Sequence, residues 1–214
     1  MGAELLLQKL EDKTLTKEAL REKVEQDFNL LPEVLDGTAS PKATVRYGCG
    51  KVLTDLSEKH PEKLYPYMDR FIELLDSKHR ILTWNAMAII ANLAGADADR
   101  KFDAAFDKYY GHLNDAYMVT VANVVGNSAK IALAKPYLTQ RITGELLKVQ
   151  DLKLTPHLTE ECKRVITEHA LKTLDALFEE IEAKEQVLSF AEKHLDSPRA
   201  PLRREAQRFL KKWK

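Results

Sequence analysis

The 214-residue chain contains only two cysteines, Cys49 and Cys162, and they share no metal-ligand spacing. No disulfide framework is available, and both are expected to be reduced, buried, small apolar residues, which points to a cytoplasmic protein. Net charge is absent too: 33 basic side chains balance 33 acidic ones. A neutral chain has no global pull toward nucleic acid or an anionic membrane. Long apolar runs are also missing. The longest nearly apolar stretch, 86–96, is interrupted by Asn92 and is too short to cross a bilayer. The opening Met1-Gly2-Ala3-Glu4-Leu5-Leu6 has neither the basic segment nor the apolar core of a signal peptide. Leu6 also stands where a myristoylation site needs Ser or Thr. No stretch alternates in the manner of a strand.

What is present is a repeat. A Leu-Asp step recurs as Leu35-Asp36, Leu75-Asp76, Leu113-Asn114-Asp115, a weaker Val149-Gln150-Asp151, and Leu195-Asp196. The aspartates are separated by 40, 39, 36 and 45 residues. A period in this range marks a stacked helical array, in which each unit buries its apolar face only against its neighbours. Apolar residues at helical spacing fill the intervals: Leu20, Val24, Phe28 and Leu31 over 17–31, and Val45, Cys49, Val52, Leu53 and Leu56 over 42–59. Further helices are expected at about 61–75, 80–94, 100–113, 116–134, 136–149, 159–182, 184–195 and 199–213. Pro32 and Gly37 should break the first, Pro61 should open the next, and Gly95 should stop 80–94 in a left-handed conformation. The expected architecture is one all-α domain over 1–214. It has a capping segment 1–16 and five helix pairs at about 17–60, 61–96, 97–135, 136–183 and 184–214.

These residues resemble a HEAT-repeat protein of the HEAT/armadillo class, whose unit is a helix, a turn bearing Asp, and Val-Arg or a near match opening a second helix. The matches are Asp36 with Val45-Arg46, Asp76 with Arg80, and Asp196 with Leu202-Arg203. The resemblance implies a right-handed superhelix in which the Asp caps the second helix and the Arg reaches a neighbouring repeat's Asp. Asp115 and Asp151 lack a following Arg, which breaks the ladder in the middle.

The resemblance also implies that second helices line a concave face. Their sequences superpose as 52–56, 89–93 and 124–128, which places Asp55, Asn92 and Asn127 at equivalent positions. An amide offers both donor and acceptor, as an extended peptide backbone requires, and armadillo proteins use asparagines in that way. The alternative is that these side chains bridge adjacent helices. Trp84 and Asn85 open an otherwise apolar helix, where the Trp suits either a binding anchor or core packing. With Asn123, these residues form the candidate surface for a protein or peptide.

A second candidate is the basic end, Arg199, Arg203, Arg204, Arg208, Lys211 and Lys212, which with Lys214 and Glu205 gives 198–214 a charge of +6. It suits nucleic acid or a solvated terminal helix. Catalysis finds no anchor. Gly48-Cys49-Gly50-Lys51-Val52 fails the phosphate-loop pattern, and Gly48 and Gly50 read better as close helix approaches. The six histidines form no His-Glu dipeptide of the kind found in metal-binding relatives of the fold. The expectation is a non-catalytic scaffold without metal or cofactor.

Overall fold

The computed structural model describes residues 4–214. The readings made of Met1, Gly2 and Ala3 lie outside the described residues. The described residues form helices and turns, and the one β contact among them is an isolated antiparallel bridge between Thr155 and Leu158. The chain divides into two compact units, 1–103 and 104–214.

The first unit opens with α1 (Glu4–Glu11) and α2 (Lys17–Gln26). Thr16 caps α2, its hydroxyl accepting the Ala19 N–H at 3.1 Å, and α2 buries Leu20 and Val24. The expected continuous helix 17–31 does not form. Asp27 ends α2, and its carboxylate accepts the Asn29 N–H at 3.0 Å, starting a 3-10 turn at 28–30. Helix α3 (Leu31–Gly37) follows with Pro32 in its first turn. Pro32 therefore opens a helix where it was expected to break one, since a first-turn residue needs no N–H donor.

Helix α4 (Ala43–Lys59) is the long helix of this repeat. The next repeat splits its first helix into α5 (Pro61–Leu64) and α6 (Met68–Leu74), divided by a 3-10 turn at Tyr65-Pro66-Tyr67. Pro66 supplies no backbone donor, which accounts for the division. Helix α7 (Arg80–Leu93) packs on α4 and α6. At Gly50 α4 approaches α7 closely: a Cβ there would stand 2.8 Å from Asn85 Oδ1 and 3.0 Å from Leu82 Cδ2. Gly48 admits Leu10 of α1 in the same way, at 2.9 Å. Both readings of close approach hold. The Gly95 reading does not: among the described residues no glycine has positive φ, and the left-handed residues are Lys13 and Arg100.

Helix α8 (Lys101–Gly111) begins at a cap the sequence did not reveal. The buried Asp97 carboxylate accepts the backbone N–H groups of Lys101 at 2.8 Å and Phe102 at 3.0 Å, and the Tyr65 hydroxyl at 3.0 Å. Tyr65 also accepts the Asp99 N–H at 3.0 Å. Burial, with the two carboxylates beside it, pushes the Tyr65 phenol up to about 12.

The second unit contains α9 (Met118–Ala134), α10 (Thr139–Leu147), α11 (Glu160–Leu177), α12 (Lys184–Glu192) and α13 (Ala200–Trp213). Helix α11 is central, packing on α9, α10 and α13. Its core holds Phe106, Tyr109, Val124, Ile142, Ile166, Leu174, Phe190 and Phe209, each at most 1 % exposed. The long segment after Asp151 folds back on the start of α9. His157 stacks on Tyr117 at 4.2 Å with planes 10° apart, its carbonyl accepts the Met118 N–H at 3.1 Å, and the Thr155 hydroxyl donates to Ala116 O at 2.5 Å. Cys49 is fully buried as expected, its thiol pushed up to about 12 by burial and the charge of Glu33. Cys162 is only half-buried, because it sits in the first turn of α11 beside the capping Thr159.

Candidate functional site

The turn before each long helix is built alike in three repeats, though not as the Asp-Arg ladder implies. The hydroxyls of Ser40, Ser77 and Ser197 accept the N–H two residues on, from Lys42 at 3.2 Å, His79 at 3.1 Å and Arg199 at 3.3 Å. Asp115 does the same for Tyr117 at 2.8 Å. The carbonyls of the three serines then accept a side chain six residues on: Arg46 at 2.8 Å, Thr83 at 3.4 Å and Arg203 at 2.7 Å. Arg46 and Arg203 thus clamp their own turns, and the expectation that they reach a neighbouring Asp is corrected. A short polar side chain at this position competes well for backbone donors, which is why Ser or Asp recurs there.

Asp36 lies within α3 and pairs with Arg70 of the next repeat at 3.2 Å. Asp69–Lys101 at 2.5 Å and Asp107–Arg141 at 2.5 Å repeat that link. The inter-repeat ladder therefore runs between first helices. Asp76 and Asp196 directly precede the turn serines Ser77 and Ser197, and Arg80 is the first residue of α7.

In the first unit the candidate surface residues are half-buried. Asp55 pairs with Lys51 one turn earlier at 2.6 Å. Asn85 Nδ2 donates to Thr54 Oγ1 at 3.1 Å, and Asn92 Nδ2 donates to Ser57 Oγ at 2.8 Å, so both amides tie α7 to α4. Trp84, Asn85, Ala88 and Asn92 occupy one half-exposed stripe of α7. In the second unit Asn123 Nδ2 donates to Val119 O and Asn127 Nδ2 to Asn123 O, each at 2.8 Å along α9. Tyr109 is hydrogen-bonded to Asn127, and burial raises its phenol well above its ordinary value.

The chain is 31 % charged, yet Arg80 is the only charged residue of α7 and Lys130 the only one of α9. Ile81 and Val119, each in the first turn of its helix, are 43 % and 46 % exposed.

The basic end is largely neutralised. Arg199 meets Glu161 at 2.6 Å and Glu168 at 3.2 Å; Arg208 meets Asp175 at 2.8 Å and Glu205 at 2.5 Å. Lys212 meets Asp175 at 3.0 Å, and Lys214 meets Glu192. Arg204 and Lys211 remain exposed. The +6 of the segment is thus answered by acids of α11 and α12, which a count along the sequence could not show. Among the described residues no three His, Cys, Asp or Glu side chains are grouped so as to hold a metal ion, and no helix is long and apolar enough to cross a membrane.

No protein-family profile matches the chain, and no curated protein matches it by sequence. Solved structures do. A designed armadillo repeat protein, YIII(Dq)4CqI, is similar with a TM-score of 0.65 at 20% identity, over 97% of this chain and 92% of that one. Another, YIII(Dq.V1)4CPAF in complex with peptide (KR)4, has a TM-score of 0.64 at 16% identity, over 97% and 91%. An engineered protein follows at 0.52 and 16%, over 99% and 96%. Together with the all-helical architecture and the recurring turns, this gives the chain the HEAT/armadillo-type α-helical repeat fold.

Proposed function

We propose that the protein is a non-catalytic scaffold that binds an extended, predominantly uncharged protein or peptide segment on the exposed faces of its second helices. The observation that carries this reading is the near absence of charge from α7 and α9 in a chain otherwise rich in it. A solvent face needs charge for solubility and not for folding, whereas the core of an interaction surface is depleted of it and enriched in aromatics such as Trp84. The amides of Asn85 and Asn92 are already held by Thr54 and Ser57, so presenting them to a partner carries little ordering cost. One similar structure, a designed armadillo protein, is in complex with a peptide. Helices α7 and α9 carry no acid, which argues that the segment here is less basic than that peptide. Asp55, Trp84, Asn85 and Asn92 are the proposed contacts in the first unit, and Asn123 and Asn127 in the second. Concavity of this surface and a cytoplasmic setting are part of the same proposal.

Selection from a displayed peptide library tests it. Enriched peptides should bind the wild type, and Ala88→Arg should weaken them about tenfold or more by placing a desolvated charge in the stripe. Asn92→Ala and Asn127→Ala should weaken them with unchanged circular dichroism. A library yielding no enriched peptide, or peptides indifferent to Ala88→Arg, refutes the proposal. Nucleic-acid binding by 198–214 is the weaker reading, since most of its cations already have carboxylate partners.

A further inference from the structure

A cleft of about 340 Å³ opens in the first unit between the turn that precedes α4 and the turn that precedes α7. Arg46, Arg70, Lys78 and His79 line it, with Glu73 as the one acidic lining residue. Arg46 is 8 % exposed. Its Nη1 donates to the carbonyls of Ser40 at 2.8 Å and Pro41 at 3.2 Å, its Nη2 to the Tyr47 hydroxyl at 3.5 Å, and the guanidinium lies 4.7 Å from the Tyr47 ring centroid, while its Nε is buried without an acceptor. The partners of the Arg46 guanidinium are thus two backbone carbonyls and Tyr47, none of them a carboxylate. A buried guanidinium is ordinarily matched by an anion, because its charge is costly to desolvate alone. Arg70 is partly answered by Asp36 at 3.2 Å, whereas Lys78 stands exposed at the rim. The start of α7, a 14-residue helix, lies at the same edge and adds the positive end of its dipole.

We propose that this cleft is an anion site that takes one phosphate-sized oxyanion, held by Arg46 from within and Lys78 from the rim, with His79 at its side. The volume accommodates such a group with its remaining hydration. Arginine and lysine are the usual partners of phosphoryl oxygens, the first through its fork and the second as a point charge. The surroundings of His79 support the same sign of field: burial, and after it the charges of Arg46 and Lys78, lower its pKa from the ordinary value. An anion seated in the cleft offsets that repulsion and should raise it again. This site is separate from the second-helix faces and stands or falls independently of the peptide reading.

The test is titration of the whole protein with inorganic phosphate against chloride at matched ionic strength, followed by calorimetry and by the His79 imidazole resonances. Saturable one-site binding is expected, with the His79 titration midpoint moving upward at saturation. Lys78→Glu is expected to weaken binding about tenfold or more with an unchanged circular dichroism spectrum. Arg46→Leu removes the clamp on its turn and can unfold the repeat, so the exposed Lys78 carries the decision. Absence of saturable binding, an equal response to chloride, or an affinity unchanged by Lys78→Glu overturns the proposal. If phosphate binds, a phosphoserine peptide that competes more tightly identifies a partner's phosphoryl group as the source. A peptide that competes more weakly identifies free phosphate.

Discussion

Asp175 is the side chain that fastens the last helix, and its removal has a calculable cost. Its carboxylate accepts Trp213 Nε1–H at 2.6 Å, Lys212 Nζ at 3.0 Å and Arg208 Nη2 at 2.8 Å, and it is only 11 % exposed. A hydrogen bond from a neutral donor to a mostly buried carboxylate contributes about 1.5–3 kcal/mol. Lys212 and Arg208 are about half exposed, 49 % and 53 %, so each ion pair adds only some tenths of a kcal/mol. Asp175→Ala should therefore destabilise the protein by about 2–4 kcal/mol. At about 2–4 °C per kcal/mol for a chain of this size, Tm should fall by roughly 5–15 °C. The pH dependence has a definite sign. Hydrogen bonds from Trp213, Lys212 and Arg208 outweigh burial and hold the Asp175 pKa below its ordinary 3.8. A depressed carboxylate stabilises the fold at pH above its unfolded value and loses that contribution as pH falls through the folded one. The gap in Tm between wild type and Asp175→Ala should thus be full at pH 6 and narrow below about pH 4. Thermal melts of both proteins by circular dichroism across that range measure it. A gap under about 0.5 kcal/mol at pH 6, or one that widens on acidification, refutes the assignment of Asp175 as the anchor.

Glycine position separates two outcomes. Gly50→Ala should destabilise by about 1–3 kcal/mol, because the new methyl meets Asn85 and Leu82 across the α4–α7 contact. Gly95→Ala should be neutral or stabilising by up to about 1 kcal/mol, because nothing lies within 4 Å and its φ is not positive; urea denaturation of the pair checks both. The thiols should differ under a disulfide reagent in native buffer, with Cys162 reacting readily and Cys49 only on unfolding; equal rates would contradict the burial assigned here. Thr155→Val removes the hydroxyl that holds Ala116 O and should speed amide exchange in 115–120 severalfold, read by hydrogen exchange, with little change in Tm.

The long helices were legible because each buries a continuous apolar stripe, a signal that survives in any single sequence. Residues 43–59, 80–93, 118–134 and 200–213 fall within a residue or two of expectation. First helices were less legible. Their division at Tyr65-Pro66-Tyr67 and at 28–30 depends on one proline and one Asp27 cap, which apolar periodicity averages over. The Asp-Arg pattern marked the turns but assigned the bonds wrongly. Spacing along the chain cannot distinguish an arginine that clamps a carbonyl six residues back from one that reaches another repeat. The Asp97 cap is hidden in the sequence for a related reason: its partners are Tyr65, 32 residues away, and the first N–H groups of α8.

The repeated turn also explains why the candidate surfaces differ in character along the chain. Once a serine hydroxyl satisfies the N–H at i+2, the residue at i+6 needs only one donor to close the turn. Thr83 does this with a hydroxyl, whereas Arg46 and Arg203 do it with guanidinium groups that have donors to spare. The structural requirement is met equally by a neutral or a charged side chain, so the choice of arginine brings a charge the fold does not demand. At Arg46 that charge is buried without a carboxylate, and an anion in the adjoining cleft is the compensation that the physics of a desolvated guanidinium calls for.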